Sequence, residues 1–145
     1  MQLQGSGFIL RNWKIGDEAS LFQNANNPKV SRFLENRFPS PYTFADAEFW
    51  VDTQTQQTEP LTNAALTIAD EVVGGIEFIL QNDIYCKNAR IGYWLAEPFW
   101  GKGIMTEALT VFTSYIFAQF EVQRIVAGVF GSNQASAKVL QKAGF

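Results

Sequence analysis

Seven residues, Trp100-Gly101-Lys102-Gly103-Ile104-Met105-Thr106, stand where the β-like segment "RIGYWLAEPF" gives way to a helical one. Their types and spacing suit anion binding. A helix start leaves backbone N–H groups without partners and carries roughly half a positive charge. Glycines at 101 and 103 let the chain turn sharply and let a bulky anion come close, so the amides there can take a phosphate. Each hydrogen bond to a charged group contributes about 1.5–3 kcal/mol, and several together would hold a diphosphate. They would do so even on a chain of net charge −3. The same two glycines would equally serve a plain strand-to-helix turn. No Gly-x-x-x-x-Gly-Lys-[Ser/Thr] loop is present, and Gly-x-Gly-x-x-Gly lacks its third glycine here. Spacing alone leaves both readings open.

The chain as a whole narrows the chemistry. Its 145 residues make one domain, 1–145, large enough to bury a core without staples. With 47% hydrophobic and 14% aromatic residues, disorder is excluded. Thirteen Phe and four Trp point to a broad apolar interior or a sizeable groove. There is no run of basic residues, which argues against nucleic acid as a partner. There is no histidine, so imidazole bases, Ser-His and Cys-His pairs and histidine metal sites are all excluded. A single cysteine, Cys86, forms no internal disulfide and no zinc site, and it fits a reducing compartment. No apolar stretch reaches the roughly 18 residues of a membrane helix and no signal pattern opens the chain, so a cytoplasmic protein without a membrane partner is expected.

The elements that must position the junction can be read from periodicity. "FILRNW" (8–13) alternates as a strand, and "GDEASLFQNANN" reads as a short helix with Asp17 and Glu18 at its start. Thr43 and Asp46 have capping-box spacing for a helix running to about Gln57. "LTNAALTIA" and "EVVGGIEFIL" form an expected antiparallel pair joined at Asp70-Glu71, and "ARIGYWLA" a fourth strand. From Gly103 to about Gln119, Ala108, Val111, Phe112, Tyr115 and Ile116 share one helical face, with Thr106, Thr110 and Thr113 on the polar side. "QRIVAGVF" is a fifth strand. "SNQASAKVLQKAGF" closes as a helix capped by Ser132 or Asn133 and ended by Gly144. The order predicts a mixed sheet with helices on both faces, the fourth and fifth strands parallel across a helical crossover.

"IGYWLAEPFWGKGIMTEAL" followed by "RIVAGVFGSNQASAKVLQKAGF", with "FPSPYTFADAEFWV" upstream, resembles the GNAT superfamily of acetyl-CoA-dependent N-acetyltransferases. Within it, the pattern is similar to the RimJ/RimL branch, which acetylates protein N-terminal amines. The likeness runs over nearly the whole chain. It implies an α/β (α+β) GNAT fold, a mixed, mostly antiparallel sheet whose parallel fourth and fifth strands splay apart. The superfamily signature [Gln/Arg]-x-x-Gly-x-[Gly/Ala] falls on Trp100 to Met105. By resemblance, amides of Gly101, Lys102, Gly103, Ile104, Met105 and Thr106 take the pyrophosphate of the co-substrate acetyl-CoA. Trp100, also expected among the cofactor-binding residues, stands for the usual polar residue, and Met105 for the usual small one, leaving close approach to Gly103 alone. The pantetheine arm is expected along Tyr93, Trp94 and Leu95, where the Leu95 backbone N–H would polarise the thioester carbonyl. The side chains of Tyr93 and Trp94 can equally be core aromatics.

By the same resemblance Asn133 contacts the cofactor and Ser136 lies near the thioester sulfur, although on their own the two read as a helix cap and a small helix residue. Leu140 stands where many relatives carry a tyrosine acid, which leaves Ser136 to assist the departing thiolate. Lys138 and Lys142 either touch phosphate or are solvated, and Phe145 packs near the cofactor. An attacking α-amine costs about 1 kcal/mol to deprotonate at pH 7, a lysine about 4–5, so a sparsely equipped site suits low-pKa amines. Arg90 occupies a position where relatives often hold an acid. Glu77, expected to share a strand face with Val73 and Ile79, and Glu48 are the candidate bases; both also read as exposed carboxylates.

The expected function is therefore direct acetyl transfer from acetyl-CoA to a protein N-terminal α-amine or a small amine, with no metal. The alternative is a catalytically weak or inactive acyl-CoA-binding module. By comparison with relatives, the chain is expected to lack its last two strands. That would leave "QRIVAGVF" as an apolar edge able to pair with a second copy in a homodimer.

Overall fold

The computed structural model describes residues 2–31, 41–80, 88–120, 122, 124–126 and 141–144. Expectations that fall on Cys86, Asn133, Ser136, Lys138, Leu140 and Phe145 lie outside these residues.

Among the described residues the strands and α-helices follow in the order β1 (Gln2–Gln4), β2 (Ile9–Arg11), α1 (Glu18–Ala25), α2 (Pro28–Ser31), α3 (Phe44–Gln54), β3 (Asn63–Ile68), β4 (Glu71–Leu80), β5 (Asn88–Leu95), α4 (Ile104–Gln119) and β6 (Arg124–Val126). The strands lie in one sheet in sequential order, β1 to β6. All neighbours are antiparallel except β5 and β6, which run parallel because α4 carries the chain back across the sheet. The expected fourth and fifth strands are β5 and β6. Their described pairing runs from Asn88↔Arg124 to Arg90↔Val126, so the expected splay beyond Arg90 involves residues outside those described.

Strand β1 is an addition to the expected order. Three residues are too few for periodicity to show. They pair with β2 because Gly5 folds back, its N–H on the Phe8 carbonyl at 3.0 Å. A Cβ on Gly5 would lie 2.1 Å from the Phe8 ring, so only glycine fits beneath it.

Two cores lie on opposite faces of the sheet. On one, Met105, Ala108, Leu109, Phe112 and Ile116 of α4 pack on Leu10, Leu66, Ile76, Phe78 and Ile91. On the other, Leu21 and Ala25 of α1 and Ala47 and Val51 of α3 pack with Trp13, Tyr42, Ala65 and Val72. Helices thus cover both faces, as the order of elements requires. Val111 and Tyr115 are half-buried at the margin of the α4 stripe, while Leu109 and Met105 complete it.

The phase of β4 is set by an irregularity. The β3–β4 register shifts between Leu66↔Gly74 and Thr67↔Val72, leaving Val73 as the extra residue of a bulge. Val72 consequently faces α1 and Val73 faces α4. At the bulge, α1 supplies side-chain partners: Asn24 Nδ2 donates to the Val72 carbonyl (2.8 Å) and the Val72 N–H donates to Ser20 Oγ (3.0 Å). The β3–β4 turn falls on Ala69-Asp70, with φ of 52° and 62°, one residue earlier than expected.

Local chemistry fixes the helix starts. Thr43 Oγ1 accepts the Asp46 N–H (3.1 Å) and Asp46 accepts the Thr43 N–H (2.9 Å), the expected capping box at α3. The helix itself stops at Gln54, three residues short of expectation. Asp17 precedes α1 but its carboxylate turns to Arg11 (2.8 and 2.9 Å) and the Lys14 N–H (2.9 Å), tying β2 to α1. Gly144, at φ +94°, closes the last described turn as expected.

Tyr42, 5% exposed beside α3, has its phenol pushed up to about 12, mainly by burial and further by the Asp46 carboxylate. The folded state favours the neutral phenol, whose unfolded pKa is about 10. Its contribution is complete below pH 10 and is lost as pH rises through about 12. Tyr42→Phe should therefore shrink the fall in melting temperature between pH 10 and 12, followed by circular dichroism. An equal fall in both proteins would contradict this assignment.

Candidate functional site

The chain from Tyr93 to Thr106 forms one continuous rim: the end of β5, a 3-10 turn at Glu97–Phe99, two glycines and the first turn of α4. Gly101 and Gly103 both take left-handed backbone, at φ +76° and +77°, and a Cβ on either would meet nothing within 4 Å among the described residues. The chain thus turns through conformations that favour glycine, and the space above both residues is open. Gly103 caps α4 without any side-chain hydrogen bond. The first N–H of α4 to find a carbonyl in the helix is that of Glu107, on Gly103 at 3.1 Å. The N–H groups of 103–106 therefore have no acceptor inside the helix. The acid of this first turn, Glu107, is engaged elsewhere, its Oε1 accepting the Ser6 N–H at 2.9 Å from the β1–β2 loop.

Side chains around the mouth are turned aside. Met105 is 4% exposed within the α4 core, so its bulk does not crowd the open side. That removes the steric objection raised by a large residue at this position. Ile104 packs against the same core, Thr106 is half-buried, and Lys102 is exposed with Nζ 5.7 Å over the Phe99 ring.

The end of β5 has a defined polarity. The Ala96 N–H donates to the Val73 carbonyl at 2.7 Å, so Ala96 and Trp94 direct their backbone groups toward β4. By the alternation of a strand, the Leu95 N–H and carbonyl point to the opposite, β6-facing side. There the Leu95 carbonyl accepts Trp100 Nε1 at 2.7 Å. The two aromatics of β5 diverge: Tyr93 packs on the α4 core and Trp94 on the α1/α3 core. Both side chains are thus at least partly core aromatics.

Glu77 lies on the α1/α3 side of β4. The expected face shared with Val73 is not found, because the Val73 bulge inverts the alternation and puts that residue in the α4 core. Glu77 lies opposite Gly92 and against it, three residues before Leu95. In the next cross-strand pair on the same face Trp94 leans over Gly75, where a Cβ would be 2.8 Å from its Nε1. Two glycines thus leave room for an indole and a carboxylate side by side. Asn63 Nδ2 donates to Glu77 Oε2 (3.3 Å), and Trp13 Nε1 donates to Asn63 Oδ1 (2.9 Å). The Asn63 backbone is held at both ends by the Gln57 amide, at 3.1 and 3.0 Å. Glu77 is half-buried; Glu48 and Arg90 are exposed.

Two left-handed glycines thus precede an α4 first turn whose amides have no acceptor inside the helix. Residues 8–145 fit the acetyltransferase (GNAT) domain. The chain belongs to the GNAT acetyltransferase family.

Among its relatives, the probable N-acetyltransferase YjcK of Bacillus subtilis is 48% identical over 76 residues, covering 52% of this chain and 42% of YjcK. The putative ribosomal N-acetyltransferase YdaF of the same organism is 37% identical over 59 residues, 41% of this chain and 32% of YdaF. These matched segments span less than half of either relative. The ribosomal L7/L12 α-N-protein acetyltransferase RimL, solved with coenzyme A, superposes with a TM-score of 0.81. Its alignment covers 100% of this chain and 84% of RimL at 22% identity. The likeness establishes the GNAT-like architecture, a mixed and mostly antiparallel sheet with helices on both faces. No helix among the described residues is long and apolar enough to cross a membrane.

In this GNAT chain the left-handed glycines and the amides of 103–106 lie together at the mouth of α4. Tyr93, Trp94, Leu95 and 100–106 are brought together on one rim; Glu77 lies on the neighbouring strand. Trp13, Asn63 and Gln57 were not expected as part of the site. Asn63, the one carboxamide inside the run "LTNAALTIA", was the signal that could have found the group.

Proposed function

We propose that this chain transfers an acetyl group from acetyl-CoA directly to an amine, by preference a protein N-terminal α-amine. The observation that carries the reading is the pair of open, left-handed glycines before α4 together with the amides behind them that have no acceptor inside the helix. Amides of 101–106 hold the diphosphate of the co-substrate, aided by the helix dipole. The pantetheine limb lies along Tyr93–Leu95, and the outward Leu95 N–H polarises the thioester carbonyl. Asn133 touches the nucleotide.

The amine nitrogen attacks the carbonyl carbon, forming the C–N bond as the C–S bond breaks. Its surplus proton passes to Glu77, which Asn63 and Trp13 keep in place. The departing thiolate takes a proton with help from Ser136. With a thiol pKa near 8.5, little assistance is required. The absence of histidine favours this single displacement over a covalent intermediate.

An α-amine is about 3–4 kcal/mol easier to deprotonate at pH 7 than a lysine, which supports the N-terminal acceptor. The names of the putative ribosomal N-acetyltransferase YdaF and of the ribosomal L7/L12 α-N-protein acetyltransferase RimL point the same way. Thiol release should therefore be faster with peptides bearing a free N-terminus than with Nα-acetylated lysine peptides. Acetyl-CoA binding by calorimetry without release for any peptide, small amine or polyamine would replace this reading with that of a binding module. Arg90, an exposed cation where relatives often hold an acid, is the feature that favours that outcome.

A further inference from the structure

The peptide between Leu95 and Ala96 is gripped at both ends. Its N–H donates to the Val73 carbonyl and its carbonyl accepts the Trp100 indole, each at 2.7 Å. Both lengths lie at the short end for N–H···O bonds. The preceding peptide, between Trp94 and Leu95, has its carbonyl in the β4 ladder, Trp94 standing opposite Gly75. With the planes on either side held, the direction of the Leu95 N–H is set by two clamps, one from the sheet and one from an indole.

The indole clamp is unusual in its origin. It comes from the residue immediately before Gly101, and the Trp100 N–H is itself fixed on the Glu97 carbonyl at 3.1 Å. Trp100 therefore belongs to the helix-mouth segment by sequence and to the β5 terminus by contact. Its ring is not committed to the core: Trp100 is 45% exposed. A half-exposed indole whose polar atom bonds a strand carbonyl is placed for that bond rather than for packing.

We infer that Trp100 is a positioning residue, whose indole N–H holds the end of β5 so that the Leu95 N–H is aimed at the reacting carbonyl, and which links that aim to the diphosphate-binding turn. The inference deepens the acetyl-transfer reading and rests on it for its kinetic consequence. A donor at an oxyanion position works only when fixed within a few tenths of an ångström, since its advantage is preorganisation. Because Trp100 adjoins Gly101, seating the diphosphate tightens the same segment that carries the indole.

Trp100→Phe keeps a ring and deletes the N–H. Its kcat should fall about tenfold or more, with KM for acetyl-CoA and its calorimetric Kd within about threefold of wild type. Loss confined to Kd, with kcat intact, would make Trp100 a nucleotide contact and overturn the inference. Trp100→His, which retains a ring N–H, should recover part of kcat; recovery no better than Phe would count against the clamp. A second readout is independent of turnover. In the free protein, amide hydrogen exchange at Ala96 should accelerate at least about tenfold in Trp100→Phe, because its peptide loses one of two anchors. Unchanged exchange would overturn the inference even if the wild type transfers acetyl groups. Faster exchange in a protein with no transferase activity would uphold the clamp while rejecting the reaction.

Discussion

Replacing Gly103 with valine should weaken acetyl-CoA binding by about tenfold to a hundredfold, the loss of one amide–phosphate hydrogen bond of about 1.5–3 kcal/mol. Two effects combine. At φ +77° a β-branched residue is strained, so the turn would shift and re-aim the amides behind it. Its methyl groups would also enter the space that is open above Gly103, where the anion must come. The ligand-free protein should lose only the local strain, about 1–2 kcal/mol, because a Cβ there meets no atom of the described residues within 4 Å. Calorimetry with acetyl-CoA and a ligand-free melt separate the two. Unchanged affinity at similar stability would remove the helix mouth from the binding site.

The second large effect is expected at Glu77. Glu77→Gln keeps the shape and can still accept the Asn63 amide, yet cannot take a proton. If Glu77 receives the amine's proton, kcat should fall about a hundredfold, the usual scale for deleting a general base, while acetyl-CoA affinity stays put. Steady-state kinetics at saturating acetyl-CoA measures this. Should Glu48→Gln carry the loss instead, the proton acceptor would lie on α3 and the Trp13–Asn63–Glu77 chain would be structural. The exposed position of Glu48 makes it the weaker candidate.

The long periodic elements were legible in the sequence because burial there follows a single period. Helix α4 shows its stripe at Ala108, Phe112 and Ile116, and α3 announces its start through Thr43 and Asp46. The glycine turn was legible too, because left-handed backbone at 101 and 103 demands that residue type. What escaped is what depends on breaks in periodicity or on distant partners. The Val73 bulge shifts the phase of β4 by one, and a one-residue shift exchanges the faces of every side chain beyond it. Glu77 thereby moved from the face of Val73 to that of Asn63 and Trp13. Strand β1 escaped because its three residues owe their pairing to the Gly5–Phe8 turn rather than to their own pattern. The Trp100–Leu95 bond is a contact between a side chain and a backbone group five residues away, and no residue type advertises it. Met105 looked obstructive by size, yet its direction along the helix sends it into the core.

The most direct measurement is a titration of isotopically labelled protein with acetyl-CoA, following backbone amide resonances. The largest shifts should fall on 101–106 and on Leu95, saturating together with one dissociation constant. Shifts concentrated elsewhere, or amides at 103–106 that stay unmoved while the ligand binds, would contradict it.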